Sequence, residues 1–416
     1  MAPRLVLTGA SGYIGSRLIA RAQQRGCEVV ALGSAGATGE FAPALSAVPW
    51  RLGETPTITA LVGATAVLHL AHDWGSDRRD GTGPGNANLV GTEVLARTAR
   101  EAGVPRFVFA STTSARPQAL NAYGRIKHAT EERLRALAGG EDHILCARVG
   151  LVYGGPERGQ YRLLARLASL PLLPMIGIDR EVQPIHLDEV CDGLLTLALD
   201  PPAARRTVVL AGSHPLSFGA WLRMLRRSRH GRHLALLPMP TGLALAACRL
   251  SSVIPFVPTI ERERVLGLAG TAPMDSAADL AALGLVLRDP ARALTNCRPA
   301  RRRLIAECAA LLRYAAGAPV RSPGAIIRLA RIVRHDPAFR HALPWPTVRW
   351  PALLRFIEPV RPAMHHGLAR RLHLAAMVAE TLEPPLRQPR LGTIVAQVAL
   401  EALALPFRLL LSGLGA

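Results

Sequence analysis

Apolar residues come in short blocks over the first two thirds of the chain and in longer mixed stretches after that. Leu5-Val6-Leu7 is a continuous apolar run, as expected of a strand buried on both faces, and Arg17-Leu18-Ile19-Ala20-Arg21-Ala22 behind it forms helix readily. The strand pattern returns at 27–32, 48–54, 66–71, 104–110, 143–148 and 207–212. Helices are predicted over 86–102, 123–137 and 216–229, the second stopped by Gly139-Gly140. Residues 34–47 and 73–85 read as loops, and Asp188 reads as the N-cap of a further helix. Strands alternating with helices predict an α/β, doubly wound parallel sheet. From about Arg298 onward the strand pattern stops, and short helices broken by proline are predicted at 302–316, 324–334, 367–381 and 391–411.

The first strand runs into Thr8-Gly9-Ala10-Ser11-Gly12-Tyr13-Ile14-Gly15 and then into helix. Gly9 permits a tight turn, Gly12 lets the backbone approach a pyrophosphate, and Gly15 lets helix and strand pack closely, so this is the layout of a dinucleotide cradle. A second constellation, Tyr123-Gly-Arg-Ile-Lys127, puts a phenol and an ammonium on one helical face. Lys127 is the only lysine in the chain, and every other fixed cation is arginine. A compact ammonium does there what a planar guanidinium does not.

Together these motifs resemble the extended short-chain dehydrogenase/reductases, the NAD(P)-dependent epimerase/dehydratase group, over about residues 4–290. The resemblance implies a Rossmann-type cofactor domain over 1–297. It also implies a small substrate-binding lobe built from about 155–182 and 215–295, with residues 298–416 as a basic, mainly helical extension. It implies that Gly9, Ser11, Gly12, Tyr13, Ile14, Gly15, Ser34, Leu70, Ala71, Asn88, Lys127 and Val149 hold the dinucleotide. Tyr123 would be the acid/base and Lys127 would hold the nicotinamide ribose. Thr112, with Ser111 as the alternative, would orient the substrate oxygen. A free tyrosine titrates near ~10, and the expectation is that the Lys127 ammonium favours its phenolate. Only about ten residues separate the 111–114 hydroxyl cluster from Tyr123, a shorter link than in relatives. Glu54 is expected near the adenine, and Arg162, Arg166 and Arg180 near an anionic substrate. The second strand ends in Gly33-Ser34, with no acid to hold a ribose 2′-hydroxyl. With Arg17 close by in sequence, NADP is expected ahead of NAD. His69 is expected to pack within its strand.

Composition narrows the function classes. The chain has 416 residues, 49% of them hydrophobic, enough for a large core, while aromatics at 4% are too few for a base-stacking nucleic-acid binder. The net charge of +20 comes without any nucleic-acid-binding signature, leaving a phosphate-rich cofactor, an anionic substrate or a membrane surface as partners. Six scattered cysteines show no metal-like spacing and fit reduced thiols in a cytoplasmic protein. The start of the chain has no signal-peptide pattern. The apolar end after Leu391 is interrupted by Glu401, Pro406 and Arg408, so it lacks the uncharged run of ~18 residues a membrane span needs. It is expected to pack within the protein, with a membrane-interface or homodimer contact as the alternatives. His365-His366, adjacent on a helix, reads as a surface pair. The functional expectation is therefore an NAD(P)-dependent oxidoreductase or epimerase, with a nucleotide sugar as one substrate class. A cofactor-binding structural or regulatory protein, and a peripheral membrane enzyme on a lipid-like alcohol, are the competing readings.

Overall fold

The computed structural model describes residues 2–33, 46–139, 143–170, 172–201, 206–230, 233–243, 272–295, 301–317, 322–335, 343–358, 367–382 and a few isolated positions between and after them. Chain contacts divide it into two compact units, residues 1–222 with 235–290, and residues 223–234 with 291–416.

The first unit is built on strands β1 (Arg4–Thr8), β2 (Glu28–Gly33), β3 (Ser46–Pro49), β4 (Ala66–His69), β5 (Phe107–Thr112), β6 (Ile144–Val149) and, after further short strands, Thr207–Leu210. These seven form one sheet in the order Thr207–Leu210, β6, β5, β4, β1, β2, β3, with every pairing parallel. This is a Rossmann-like doubly wound sheet. Its chain order reverses between β1 and β4, and ligands bind outside the carboxyl ends of strands at such a reversal.

The continuous apolar runs are explained by burial on both faces. Leu5, Leu7, Val29, Ala31, Leu68, Val108 and Ala147 point to one side, under α1 (Tyr13–Gln24) and the helix Leu187–Leu199. Val6, Val30, Leu32, Val67, Phe107, Phe109 and Ile144 point to the other, under the helices Ala87–Glu101 and Ala122–Ala138. Each buried leucine- or phenylalanine-sized side chain contributes roughly 1.5–3 kcal/mol, so a charge at any of these positions on either face would be costly.

Several expectations need correction. Residues 73–85 are not all loop, because α2 (Trp74–Asp80) occupies their first half; Asp73 caps it, its side chain accepting from the Gly75 amide at 2.8 Å. α3 (Ala87–Glu101) then starts from the Asn86 cap, and α4 (Ala122–Ala138) from the Asn121 cap. Ser111 and Thr112 lie inside β5 rather than after it. The helix Leu187–Leu199 is capped by the His186 side chain in a capping box with Glu189, not by Asp188, which sits in its first turn. Short strand pairs, Leu172–Met175 with Ala235–Pro238 and Glu181–Val182 with Leu216–Ser217, lie in the stretches expected to form a lobe.

The second unit contains the helices Arg301–Ala316, Pro323–His335 and Gly367–Glu380 around a core of Leu304, Cys308, Leu311, Leu329, Val333, Leu372 and Ala375. Not all of its arginines are solvated. Arg303, Glu307 and Arg371 are buried together, with Arg303 Nε 2.7 Å and Arg371 Nη1 3.6 Å from the Glu307 carboxylate. Most of the helix expected at 391–411, and the His365-His366 pair, lie outside the described residues. Among the described residues no helix is long and apolar enough to cross a membrane.

Candidate active site

The glycine loop between β1 and α1 is packed to its limit. Gly9 has φ +72°, and a Cβ there would stand 2.8 Å from the Ala71 nitrogen. A Cβ on Gly15 would meet the Gly9 carbonyl oxygen at 2.2 Å. Gly12 is the N-cap of α1, with no side chain capping that helix and no acid in its first turn, so the positive end of the helix dipole stands at the loop. Beside the loop lies an open cleft of about 360 Å³ lined by Gly9, Ala10, Ser11, Ala31, Leu32, Gly33, Trp50, Arg51, Leu52, Ala71 and Asp73. A glycine-walled cleft at the strand carboxyl ends, next to an uncapped helix N-terminus, fits a dinucleotide.

The expected cofactor residues do not all face this cleft. Gly9, Ser11 and Ala71 line it, and the Thr8 hydroxyl holds the Leu70 and Ala71 amides at 3.2 Å. The Tyr13 hydroxyl instead donates to the Gly154 carbonyl at 2.5 Å, its ring stacked on Tyr161. The Ile14 and Leu70 side chains lean on the core and Val149 is buried in it, so what these three offer a ligand is backbone. Ser34 lies outside the described residues. Arg17 is turned away: its Nε is 2.6 Å from Asp188 Oδ1, which removes it as a partner for a ribose phosphate. Arg51, which the sequence did not single out, stands in the cleft wall beside Gly33. Glu54 accepts from the Arg51 amide at 3.1 Å and is not part of the wall.

Tyr123 and Lys127 sit on the first two turns of α4. Gly124 between them lets the helix press onto the short link from β5, where a Cβ would come within 2.5 Å of the Ser114 carbonyl oxygen. Lys127 is buried, its Nζ donating to the Ala110 carbonyl at 2.8 Å, 4.4 Å from the Phe109 ring centroid and 6.0 Å from that of Tyr123. Burial pulls its pKa down from 10.5 to about 8, against the attraction of Asp77 and Glu131. The tyrosine departs from expectation: burial, and then the Asp77 carboxylate, push its pKa up to about 12. In this structure those two effects, not the ammonium, decide its titration, and the phenol keeps its proton at neutral pH.

The two candidate hydroxyls near β5 separate. Ser111 is buried and donates to Glu131 Oε1, inside a cluster in which the Arg148 guanidinium also grips Glu131. Thr112, at the end of β5 and only partly buried, accepts from the Ser114 amide at 3.2 Å. His69 is fully buried between Thr8 and Thr92, at 2.7 and 2.9 Å, and desolvation drives its pKa down to about 3.

Three residues missed in the sequence surround the phenol. Trp74 stacks on Tyr123 at 4.9 Å, and His72 meets the same ring edge-on at 4.9 Å. His72 Nε2 lies 2.8 Å from Asp77 Oδ2, while Asp77 Oδ1 accepts from Asn88 Nδ2 at 2.8 Å. Asn88 also accepts from the Asp73 amide at 2.7 Å and donates to the Asp73 carbonyl at 3.0 Å. Thus Asn88, expected at the cofactor, is here the post that holds the 72–77 segment over Tyr123. The missed signal was an N-capping aspartate a few residues after a strand, with a second aspartate four residues on. Among the described residues no cluster of His, Cys, Asp or Glu is spaced to hold a metal ion.

A UDP-glucose 4-epimerase of Vibrio cholerae is 24% identical over 247 residues, covering 54% of this chain and 75% of that protein. An uncharacterized protein of Mycobacterium tuberculosis is 29% identical over 215 residues, 52% of this chain but only 22% of its own length. Among solved structures, UDP-N-acetylglucosamine 4-epimerase from Bacillus cereus has a TM-score of 0.54 at 17% identity, covering 70% of this chain and 97% of that one, and so shares the fold. Residues 5–198 match the family model of the NAD dependent epimerase/dehydratase family.

Proposed function

We propose that this protein is a cytoplasmic NAD(P)-dependent oxidoreductase or epimerase acting on a nucleotide sugar. The observation that carries the reading is the pairing of Tyr123 and the single lysine on one face of α4, in the same unit as the glycine cradle. Kinship to a UDP-glucose 4-epimerase supports the substrate class. A bound dinucleotide would supply the hydride acceptor or donor and, when oxidised, a positive ring charge. Gly9, Ser11, Gly12 and Gly15 would cradle its pyrophosphate, and Lys127 would bind the ribose hydroxyls beside the nicotinamide. Tyr123, protonated in the free protein, gives its proton to a substrate carbonyl as it becomes an alcohol and recovers it in the reverse direction. Thr112 orients the same oxygen, since Ser111 is engaged by Glu131. NADP is preferred, because β2 ends without an acid and Arg51 offers a guanidinium beside Gly33.

The test is turnover of UDP-glucose, UDP-N-acetylglucosamine and UDP-glucuronic acid with each dinucleotide, read as reduced nicotinamide and as altered sugar. Tyr123→Phe should lower the rate by about 10²–10⁴-fold. Tight dinucleotide binding together with equal rates for wild type and Tyr123→Phe would instead favour a cofactor-binding protein without this chemistry.

A further inference from the structure

His72 and Asp77 form an ordered pair against the phenol. Asp77 is fixed through both oxygens, one by Asn88 Nδ2 and one by His72 Nε2. A carboxylate can only accept in these contacts, so Nε2 carries the imidazole hydrogen and Nδ1 is left with the basic lone pair. The His72 ring lies 4.9 Å from Tyr123 and 4.6 Å from Trp74, which itself remains more than half exposed. Asp73 and Asp77 face His72 from α2 and its cap, Tyr123 and Lys127 from α4, and Asn88 from α3.

We propose that His72, oriented by Asp77, is a second proton-transfer group of the Tyr123 site, acting as a base on a carbon next to the oxidised centre of a sugar substrate. The environment sorts the two groups into complementary roles. Burial, with the nearby Lys127 ammonium, lowers the His72 pKa below 6.5 against the pull of Asp77, so the imidazole is neutral at pH 7; Tyr123 next to it holds its proton. Neighbouring titratable groups pushed in opposite directions mark an acid and a base. The step is an enolisation. Once the carbinol has given its hydride to a bound nicotinamide dinucleotide and its hydroxyl proton to solvent, leaving a ketone, Nδ1 would take the proton from the adjacent carbon. The C–H electron pair becomes the new C=C bond, the carbonyl π pair moves to oxygen, and that oxygen takes the Tyr123 proton. Running the step backwards returns both protons. A site that only moves hydride on and off one carbinol has no use for this second base.

The proposal rests on the dinucleotide-dependent reading of the site, and its test has one arm that does not. In the first arm the full-length protein is incubated in D2O with NAD or NADP and the three UDP-sugars above, and carbon-bound deuterium is measured by mass spectrometry. Wild type should incorporate deuterium beside the oxidised carbon. His72→Gln and Asp77→Asn should slow this exchange by about 10²-fold or more, while formation of reduced nicotinamide falls much less. Exchange that persists in His72→Gln, or exchange and hydride transfer falling in parallel, would overturn it. If wild type turns over none of these sugars, the proposed function fails separately and the second arm decides: nitrogen NMR of histidine-labelled protein. A neutral His72 at pH 7 with its hydrogen on Nε2, lost in Asp77→Asn, is expected. An imidazolium or the opposite tautomer at pH 7 would overturn the proposal.

Discussion

Replacing Lys127 with methionine should make the ligand-free protein more stable while abolishing its activity. The lysine is only 3% exposed, and its pKa falls from 10.5 to about 8 because burial opposes the charge. The folded state therefore binds this proton less tightly than the unfolded chain. Between about pH 8 and 10.5 the unfolded state carries more protons, so stability rises with pH across that window and the full penalty applies below it. At about 1.4 kcal/mol per pKa unit the penalty is roughly 3 kcal/mol at pH 7 and roughly 1 kcal/mol at pH 9.5. Methionine removes it but leaves the Ala110 carbonyl without its donor, a loss of about 1 kcal/mol. The net expectation is a gain of about 2 kcal/mol at pH 7 that shrinks to near zero at pH 9.5. Urea unfolding of both proteins at the two pH values measures it, and taking the difference between them cancels the other titrating groups. A methionine variant less stable than wild type at pH 7, or a difference that ignores pH, would refute the reasoning. The ammonium would then be stabilised by its surroundings rather than held there for function.

Other perturbations test separate parts of the account. Gly15→Ala forces a methyl against the Gly9 carbonyl and should cost about 1–3 kcal/mol of stability; dinucleotide affinity by calorimetry should also fall by about tenfold or more. Arg51→Ala should weaken NADP binding by about tenfold or more, the loss of a charged hydrogen bond of about 1.5–3 kcal/mol, and leave NAD nearly unaffected; competition titrations measure the ratio. Glu307→Ala leaves the buried Arg303 and Arg371 without their shared carboxylate and should destabilise the second unit by about 3–5 kcal/mol. Limited proteolysis should then cleave after residue 290 first.

Local pattern was enough for the sheet. Uninterrupted runs such as Leu5–Leu7 and Ala66–Leu68 read as strands buried on both faces, and the Gly9 and Gly15 positions have a steric reason: a Cβ at either would strike backbone. What escaped was decided by partners distant in sequence. α2 was hidden because its residues are polar and glycine-flanked, and its position over Tyr123 depends on Asn88, eleven or more residues away. Arg17 reads as available for a phosphate, but Asp188, 171 residues on, holds it. The Tyr123 pKa follows the same rule: Lys127 is visible at helical spacing, whereas burial and Asp77 are not. Nothing local reveals that Glu307 draws Arg303 and Arg371 inside.

The most direct test of the central claim is a crystal structure of the full chain with NAD or NADP and a UDP-sugar bound. The account predicts the pyrophosphate on Gly9, Gly12 and Gly15, the ribose hydroxyls on Lys127 Nζ, and the Tyr123 hydroxyl within hydrogen-bonding distance of the reacting sugar oxygen. A nicotinamide lying away from α4, or a sugar that never reaches Tyr123, would contradict it.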